Sequence, residues 1–140
     1  MITIERFTFQ DKYLINQAFS IRNEVFVIEQ AVDKEEEYEF EEESIHFILF
    51  ENNKACATAR YRETKNGIKL ERFAVLKEDR GKGYGMQILL KMLEDIQEIN
   101  KTKYLHAQVQ VVPFYEKVGF KKVGRIFEEA EIMHYKMIKQ

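Results

Sequence analysis

The sequence predicts an α/β (α+β) sandwich in a single domain over residues 1–140. Its centre is a mixed, mostly antiparallel sheet of about six to seven strands, flanked by about four helices on its two faces. Three observations carry this. Strand-like and helix-like apolar periods follow one another in the order β, α, three β, α, β, short α and two β. A chain of 140 residues with 45% apolar side chains can close one sizeable core. With one proline and six glycines in the whole chain, no stretch reads as a linker.

The first strand is Ile2-Thr3-Ile4-Glu5-Arg6-Phe7-Thr8-Phe9, β-branched and aromatic, and mostly alternating apolar with polar. From Tyr13 the period changes. Leu14, Ala18, Ile21, Val25 and Ile28 recur at three- and four-residue steps, which predicts one amphipathic helix running to about Glu29. Residues 33 to 44, DKEEEYEFEEES, hold eight acidic residues in twelve and read as a solvated loop or short helix. Tyr38 and Phe40 interrupt that run, and aromatic rings in an acidic loop can line a pocket for a cationic amine.

Two strands, His46 to Phe50 and Ala55 to Arg62, join at the short turn Glu51-Asn52-Asn53-Lys54. A second turn at Lys65-Asn66-Gly67 leads into Ile68 to Leu76 and completes an antiparallel meander. After RGKGYG comes a helix on which Met86, Leu89, Leu90, Leu93 and Ile96 share a face. Tyr104 to Val109 is a further strand. Val112 to Gly119 suits a short helix, with Pro113 in its first turn and Gly119 as its stop. Strands near Phe120 to Ile126 and Glu131 to Ile138 close the chain, and their edges could pair in a homodimer or be guarded by Lys121, Lys122 and Lys136.

Composition narrows the function classes. A net charge of -2 provides no global basic field to hold nucleic acid. The N-terminus has no apolar leader, and no window approaches the roughly 18 apolar residues of a membrane span. A cytoplasmic protein without membrane contact is expected. Cys56 is the only cysteine, so neither an internal disulfide nor a thiolate metal cluster is available, and no metal is expected. In the run KACATARYR it reads as a small buried hydrophobe.

Residues 80 to 85, RGKGYG, sit between the end of an apolar strand and the start of an amphipathic helix. Glycines let backbone approach an anion, and the first turn of a helix offers unpaired N–H groups at a positive dipole end. Arg80 and Lys82 add cationic side chains, so a diphosphate is the natural guest. The dinucleotide fingerprint does not fit without a parallel βαβ unit, nor does a Walker loop without a closing Gly-Lys-Ser or Gly-Lys-Thr. Taken alone, the turn is equally a plain surface loop.

ERFAVLKEDRGKGYGMQILLKML resembles the central motif of the GNAT N-acetyltransferase superfamily, in which Arg80, Gly83 and Gly85 occupy the defining places of the Arg/Gln-x-x-Gly-x-Gly/Ala turn. VVPFYEKVGF resembles the second motif of that superfamily. IRNEVFVIEQ, His46 and EEAEIMHYKM are similar to its ElaA-like branch, except that Ala130-Glu131 stands where an acidic residue and glycine are expected in a tight turn.

The resemblance implies a donor, acetyl-CoA, and an acceptor, the primary amine of a small molecule or protein. It implies that backbone groups of Phe73, Ala74 and Val75 hold the pantetheine arm. Arg80, Gly81, Lys82, Gly83, Tyr84 and Gly85 would hold the pyrophosphate, and Tyr115 would be the general acid. From the residues alone, Tyr115 reads as a core tyrosine on a short amphipathic helix before it reads as an acid, and it is the resemblance that reverses the order.

Glu71 is a candidate base, on the face of Phe73 under strict alternation unless a bulge intervenes. Glu29, His46 and His134 are rivals. Arg22, Glu29, Gln30, Arg60, Arg62 and Arg72 are the polar residues expected around the acceptor, together with His46 and His134, while salt bridges to the acidic loop are the alternative role of Arg60 and Arg62. A non-catalytic acyl-CoA-binding or regulatory module on the same fold is the competing function.

Overall fold

Both faces of the sheet must be covered, because His46-Phe47-Ile48-Leu49-Phe50 is a continuous largely apolar run rather than an alternating one. The computed structural model, which describes residues 1–33 and 38–140, satisfies this with two separate cores. Phe47 and Leu49 pack into one core; Ile48, pointing the other way, packs with Phe7, Ile15, Ala18, Ile21, Val25 and Ala74 into the second.

The strands are β1 (Ile2–Phe7), β2 (Ile45–Glu51), β3 (Lys54–Thr64), β4 (Gly67–Val75), β5 (Lys103–Gln108), β6 (Phe120–Glu129) and β7 (Ile132–Lys139). They form one sheet in the order β1-β2-β3-β4-β5-β7-β6. Every pairing is antiparallel except β4 with β5. Helix α1 (Lys12–Arg22) covers one face, and α2 (Tyr84–Ile96) with the short α3 (Val112–Glu116) covers the other. The fold is the expected mixed α/β sandwich, with three helices among the described residues where about four were expected. The stretch 34–37 of the acidic run lies outside the described residues.

Helix α1 starts at Asp11, whose carboxylate accepts the Leu14 N–H at 3.0 Å and so satisfies one of the four orphan donors of the first turn. The predicted single helix then changes pitch: Asn23–Glu29 continues as a π-helix, marked by the Gln30 N–H donating to Val25 O. The wider turn explains why Ala18, Ile21 and Val25 are buried as the 3.6 period requires, whereas Ile28 is 63% exposed. It also carries Phe26 and Gln30 to the edge of the cleft described below.

The Asn52-Asn53 turn has both residues at positive φ (50° and 70°), the two-residue geometry that matches strand twist. In β4 one residue too many fits against β3: Thr58 faces Ala74 and Arg60 faces Glu71, so two steps on one strand span three on the other. Arg72, at φ 59°, is the bulge. It shifts the alternation by one, so Leu70, Phe73 and Val75 belong to the α2 core while Ala74 faces α1. Glu71 and Phe73 therefore lie on opposite faces, not on one face as strict alternation predicts.

The bulge accompanies a second irregularity. Parallel pairing of β4 with β5 is confined to Ile68 with Lys103 and Lys69 with Tyr104, whereas β5 goes on pairing with β7 from Tyr104 to Gln108. Beyond Lys69 the two strands part, and the far half of β4 keeps only β3 as a partner.

Candidate active site

The gap between β4 and β5 opens into a cleft of about 1050 Å³. One end is built by Phe73, Ala74 and Val75 with the turn that follows. After Val75 a single 3₁₀ turn (Lys77–Asp79) reverses the chain, and Gly81 (φ 83°) and Gly83 (φ 82°) hold left-handed backbone. Nothing lies within 4 Å of where a Cβ on either would be, so the space above the turn is open. Gly83 is the N-cap of α2 and offers no side chain to the first-turn N–H groups. Uncapped donors beneath open space, at a positive dipole end, are what an anion needs.

The two cations of the turn are already engaged. Arg80 grips Glu29 with both amino nitrogens (2.6 and 2.8 Å) and donates its Nε–H to Val75 O at 2.9 Å, which ties the end of the π-helix to the turn. Lys82 reaches Asp79 at 3.2 Å and Glu51 at 3.3 Å and is not among the residues lining the cleft. In this structure its ammonium is taken up by ion pairs behind the turn, and the groups that face the open space are backbone N–H donors. Cys56 is fully buried beside the same group, and burial pushes its thiol up, as suits a small core residue. Glu51, Cys56 and Asp79 lie within 4.8 Å of one another, but Lys54 and Lys82 fill the place between the carboxylates.

Tyr115 of α3 closes this end. Three aromatic rings surround it edge-on: Phe73, Phe114 and Phe120, with centroids at 5.6, 5.1 and 6.0 Å. Its hydroxyl has no hydrogen bond among the described residues, and burial pushes its pKa upward, so the phenol keeps its proton at physiological pH. It lines the cleft and belongs to the core at the same time.

The other end is polar. Gln30, Arg62, Arg72 and His134, four of the residues expected around the acceptor, line it together with the candidate base Glu71, and so do His106, Gln108 and Glu129, which the sequence reading missed. The side chains of Gln108 and Gln30 join at 3.0 Å, bridging the end of the π-helix to the end of β5. The remaining expected acceptor residues are elsewhere. Glu29 is held by Arg80, and Arg22, His46 and Arg60 are each only 1% exposed and outside the cleft.

Arg22, His46 and Arg60 belong to a buried charge network organised by the acidic loop. Glu41 accepts two hydrogen bonds from Arg22 (2.9 and 2.7 Å). Arg60 lies between two carboxylates, 2.7 Å from Glu41 and 2.6 Å from Glu71; its amino groups are off the angle of aligned hydrogen bonds, so charge rather than directionality holds them, while its Nε–H donates to Glu71 at 2.7 Å. His46 stacks on Phe7 with its Nε2 3.1 Å from Glu41 O, and burial lowers its pKa to about 4, which keeps it neutral.

Burial alone would raise the Glu71 carboxyl, but Arg60, Arg72, Arg62 and Lys69 overcome it and hold its pKa at about 2. So weak a base cannot deprotonate an ammonium at a useful rate. Glu71 lines the cleft as the anchor of Arg62, whose Nε–H donates to it at 2.8 Å, rather than as a poised base.

A split parallel strand pair, a glycine turn on a helix N-terminus and a tyrosine across the gap are the arrangement that the resemblance to the N-acetyltransferases implies. The chain belongs to the GNAT acetyltransferase family: residues 9–140 match the model of the acetyltransferase (GNAT) domain. It is 40% identical over 129 residues to an uncharacterized N-acetyltransferase, YjcF, of Bacillus subtilis, covering 89% of this chain and 91% of that one. Escherichia coli ElaA shares the fold (TM-score 0.85, 24% identity, 99% of each chain). So does the PaiA N-acetyltransferase of Thermoplasma acidophilum, solved in complex with coenzyme A (TM-score 0.74, 17% identity, 100% of this chain and 99% of that one). Among the described residues no helix is long and apolar enough to cross a membrane.

Proposed function

We propose that this chain is a cytoplasmic N-acetyltransferase that moves an acetyl group from acetyl-CoA to the primary amine of a small-molecule or protein acceptor, directly, in a ternary complex. The observation that carries the reading is the parting of β4 from β5, which leaves the backbone of Phe73, Ala74 and Val75 open on the wall shared with the glycine turn and Tyr115. The coenzyme A bound in the PaiA enzyme, which has the same fold, supports the donor.

Acetyl-CoA supplies an activated thioester whose sulfur is the leaving group. The open edge of β4 would receive the pantetheine arm as an added strand, with one N–H directed at the carbonyl oxygen where negative charge develops. The backbone of Gly81 and Gly83 and the first-turn N–H groups of α2 would receive the pyrophosphate. A Cβ at Gly85 would meet Phe114 at 3.5 Å, an ordinary contact, so the protein's own packing does not require glycine there. Tyr115 would give its hydroxyl proton to the departing sulfur. No serine or cysteine lines the described cleft, which favours attack by the amine itself over an acyl-enzyme.

Calorimetric titration with acetyl-CoA, followed by thiol release across a panel of amines and peptides, tests the reading. Binding with amine-dependent release is expected; binding without release for any acceptor would leave a non-catalytic acyl-CoA module, and no binding would remove both. In the Tyr115→Phe variant kcat should fall by about 100-fold, the usual scale for one general acid. The calorimetric affinity for acetyl-CoA should hardly change, and an unaltered rate would remove Tyr115 from the mechanism.

A further inference from the structure

We propose that His134 is the proton acceptor for the incoming amine, with Glu129 stabilising the imidazolium it becomes and His106 positioning Glu129. The proposal rests on the acetyl-transfer reading and adds to it the base that the reading leaves open.

The tautomer follows from one contact. His134 Nδ1 lies 2.7 Å from Ile132 O, and a carbonyl only accepts, so Nδ1 carries the hydrogen. In the neutral ring Nε2 is then the atom with a free lone pair, on the wall of the same cleft that holds Tyr115. Nε2 is 3.9 Å from Glu129 Oε1, within Coulombic range though beyond a hydrogen bond, so the carboxylate lies beside the ring without occupying the lone pair. Glu129 Oε2 is 3.3 Å from His106 Nδ1. That hydrogen bond is the largest influence on Glu129; burial opposes it, His106, Lys69 and His134 add attraction, and the carboxyl settles at about 2, ionised throughout the working range.

The rings are fixed from the side. Phe127 stacks on His134 at 5.8 Å and meets His106 edge-on at 5.0 Å. The hairpin between them closes with the same two-residue geometry as the Asn52-Asn53 turn, with Ala130 (φ 52°) and Glu131 (φ 62°) both left-handed. This turn sets Glu129 before it and His134 after it. The titratable groups around His134 are Glu129 on β6, His106 on β5 and, beyond Glu129, Lys69 on β4, with Glu131 and Lys136 flanking it along its own stretch of chain.

The other carboxylates and imidazoles considered for this task are committed. Glu71 is held by cations, Glu29 is gripped by Arg80, and His46 is buried away from the cleft. A metal reading of His106, Glu129 and His134 also fails. Among the described residues the one group of three such side chains with ligand atoms within 4.8 Å of one another is Glu51, Cys56 and Asp79.

The protons balance as follows. The acceptor ammonium gives one proton to His134 Nε2, which later passes it to water. The freed amine forms the C–N bond to the acetyl carbon as the C–S bond breaks. Tyr115 protonates the sulfur, and the second proton lost by the nitrogen replaces the one Tyr115 gave. The net products are the amide, the free thiol and one released proton.

The test compares two small nucleophiles that need no tailored pocket: methylamine, an ammonium ion near pH 7, and hydroxylamine, which is neutral there. With acetyl-CoA, His134→Gln should lower methylamine-dependent thiol release by about 100-fold and erase the acid limb of its pH profile, while hydroxylamine-dependent release falls less than about 5-fold. Glu129→Gln, which keeps the imidazole, should lower the methylamine rate alone, by about 10-fold. Unchanged acetyl-CoA affinity by calorimetry excludes misfolding. Equal losses with both nucleophiles, or none, would overturn the base assignment and leave acetyl transfer standing. Wild-type protein that binds acetyl-CoA but acetylates neither amine removes both. Independently of turnover, ¹⁵N NMR of the wild-type protein should find neutral His134 protonated on Nδ1; protonation on Nε2 would overturn the proposal.

Discussion

Glu41→Ala is expected to lower the unfolding free energy by about 3–5 kcal/mol, the scale seen when one partner of a buried ion pair is removed and charge is left behind. Arg22 and Arg60 are each 1% exposed, and Glu41 touches both, with its own side chain only 10% exposed. Without it, Arg22 loses the two hydrogen bonds it gives to Glu41, and Arg60 is left with Glu71, which Arg62 and Lys69 already share. The hydrogen bonds of the His46 ring and the Ser44 hydroxyl to backbone of the same segment, at Glu41 O and Phe40 O, survive the substitution, so the variant reports on the Glu41 carboxylate itself. The control is Glu42→Ala, one position along and exposed, which should change stability by no more than about 0.5 kcal/mol. Urea titration of both variants decides the matter: equal midpoints would mean that the buried network contributes nothing that Glu41 organises.

Why the sequence does not single out Glu41 is instructive. It is one of eight acidic residues in a run of twelve, and composition treats them alike. Only the closure of the loop over Arg22 and Arg60 distinguishes it. Arg22 and Arg60 are both expected around the acceptor, with a salt bridge to the acidic loop as the alternative for Arg60; the structure places both against Glu41 of that loop as buried, paired cations.

Local features were legible because their causes are local. The glycine turn needs left-handed backbone at Gly81 and Gly83, α3 begins with Pro113 in its first turn, and Gly119 takes positive φ just beyond it. The bulge at Arg72 had no such marker: no glycine signals it, and it exists because β4 must pair with β3 while diverging from β5. The same holds for the π-turn, which left Ile28 exposed on a face the 3.6 period would bury. His106 could have been found. In β5 the core positions are Leu105 and Ala107, so alternation puts His106 with Gln108 on the cleft side, beside a strand that the glycine motif already implicated.

Acid should unfold this protein in two overlapping stages, and the upper one belongs to His46. Its pKa falls from 6.5 to about 4 on folding, because burial disfavours the charged ring more than Glu41 favours it. Between those values the unfolded chain binds more protons than the folded one, so unfolding free energy rises with pH; the contribution is complete above pH 6.5 and is lost as pH falls through about 4. At 1.36 kcal/mol per unit the span is worth about 3 kcal/mol. Glu71 acts in the same direction lower down, from 4.5 to about 2, where burial opposes its charge and the surrounding arginines and Lys69 prevail. Glu129 adds to that lower window, at a discount because its side chain is 46% exposed. Because His46 and Glu71 share one network through Glu41 and Arg60, their contributions need not add in full. Urea midpoints measured at intervals from pH 7 to pH 3 should therefore decline throughout. In His46→Gln, which keeps an amide donor for Glu41 O but cannot take up a proton, the decline between pH 6.5 and 4.5 should flatten while the lower stage remains. A wild-type stability that is level down to pH 4.5 would show that His46 is not buried neutral, and with it the placement of the acidic loop over Arg22 and Arg60 would fail.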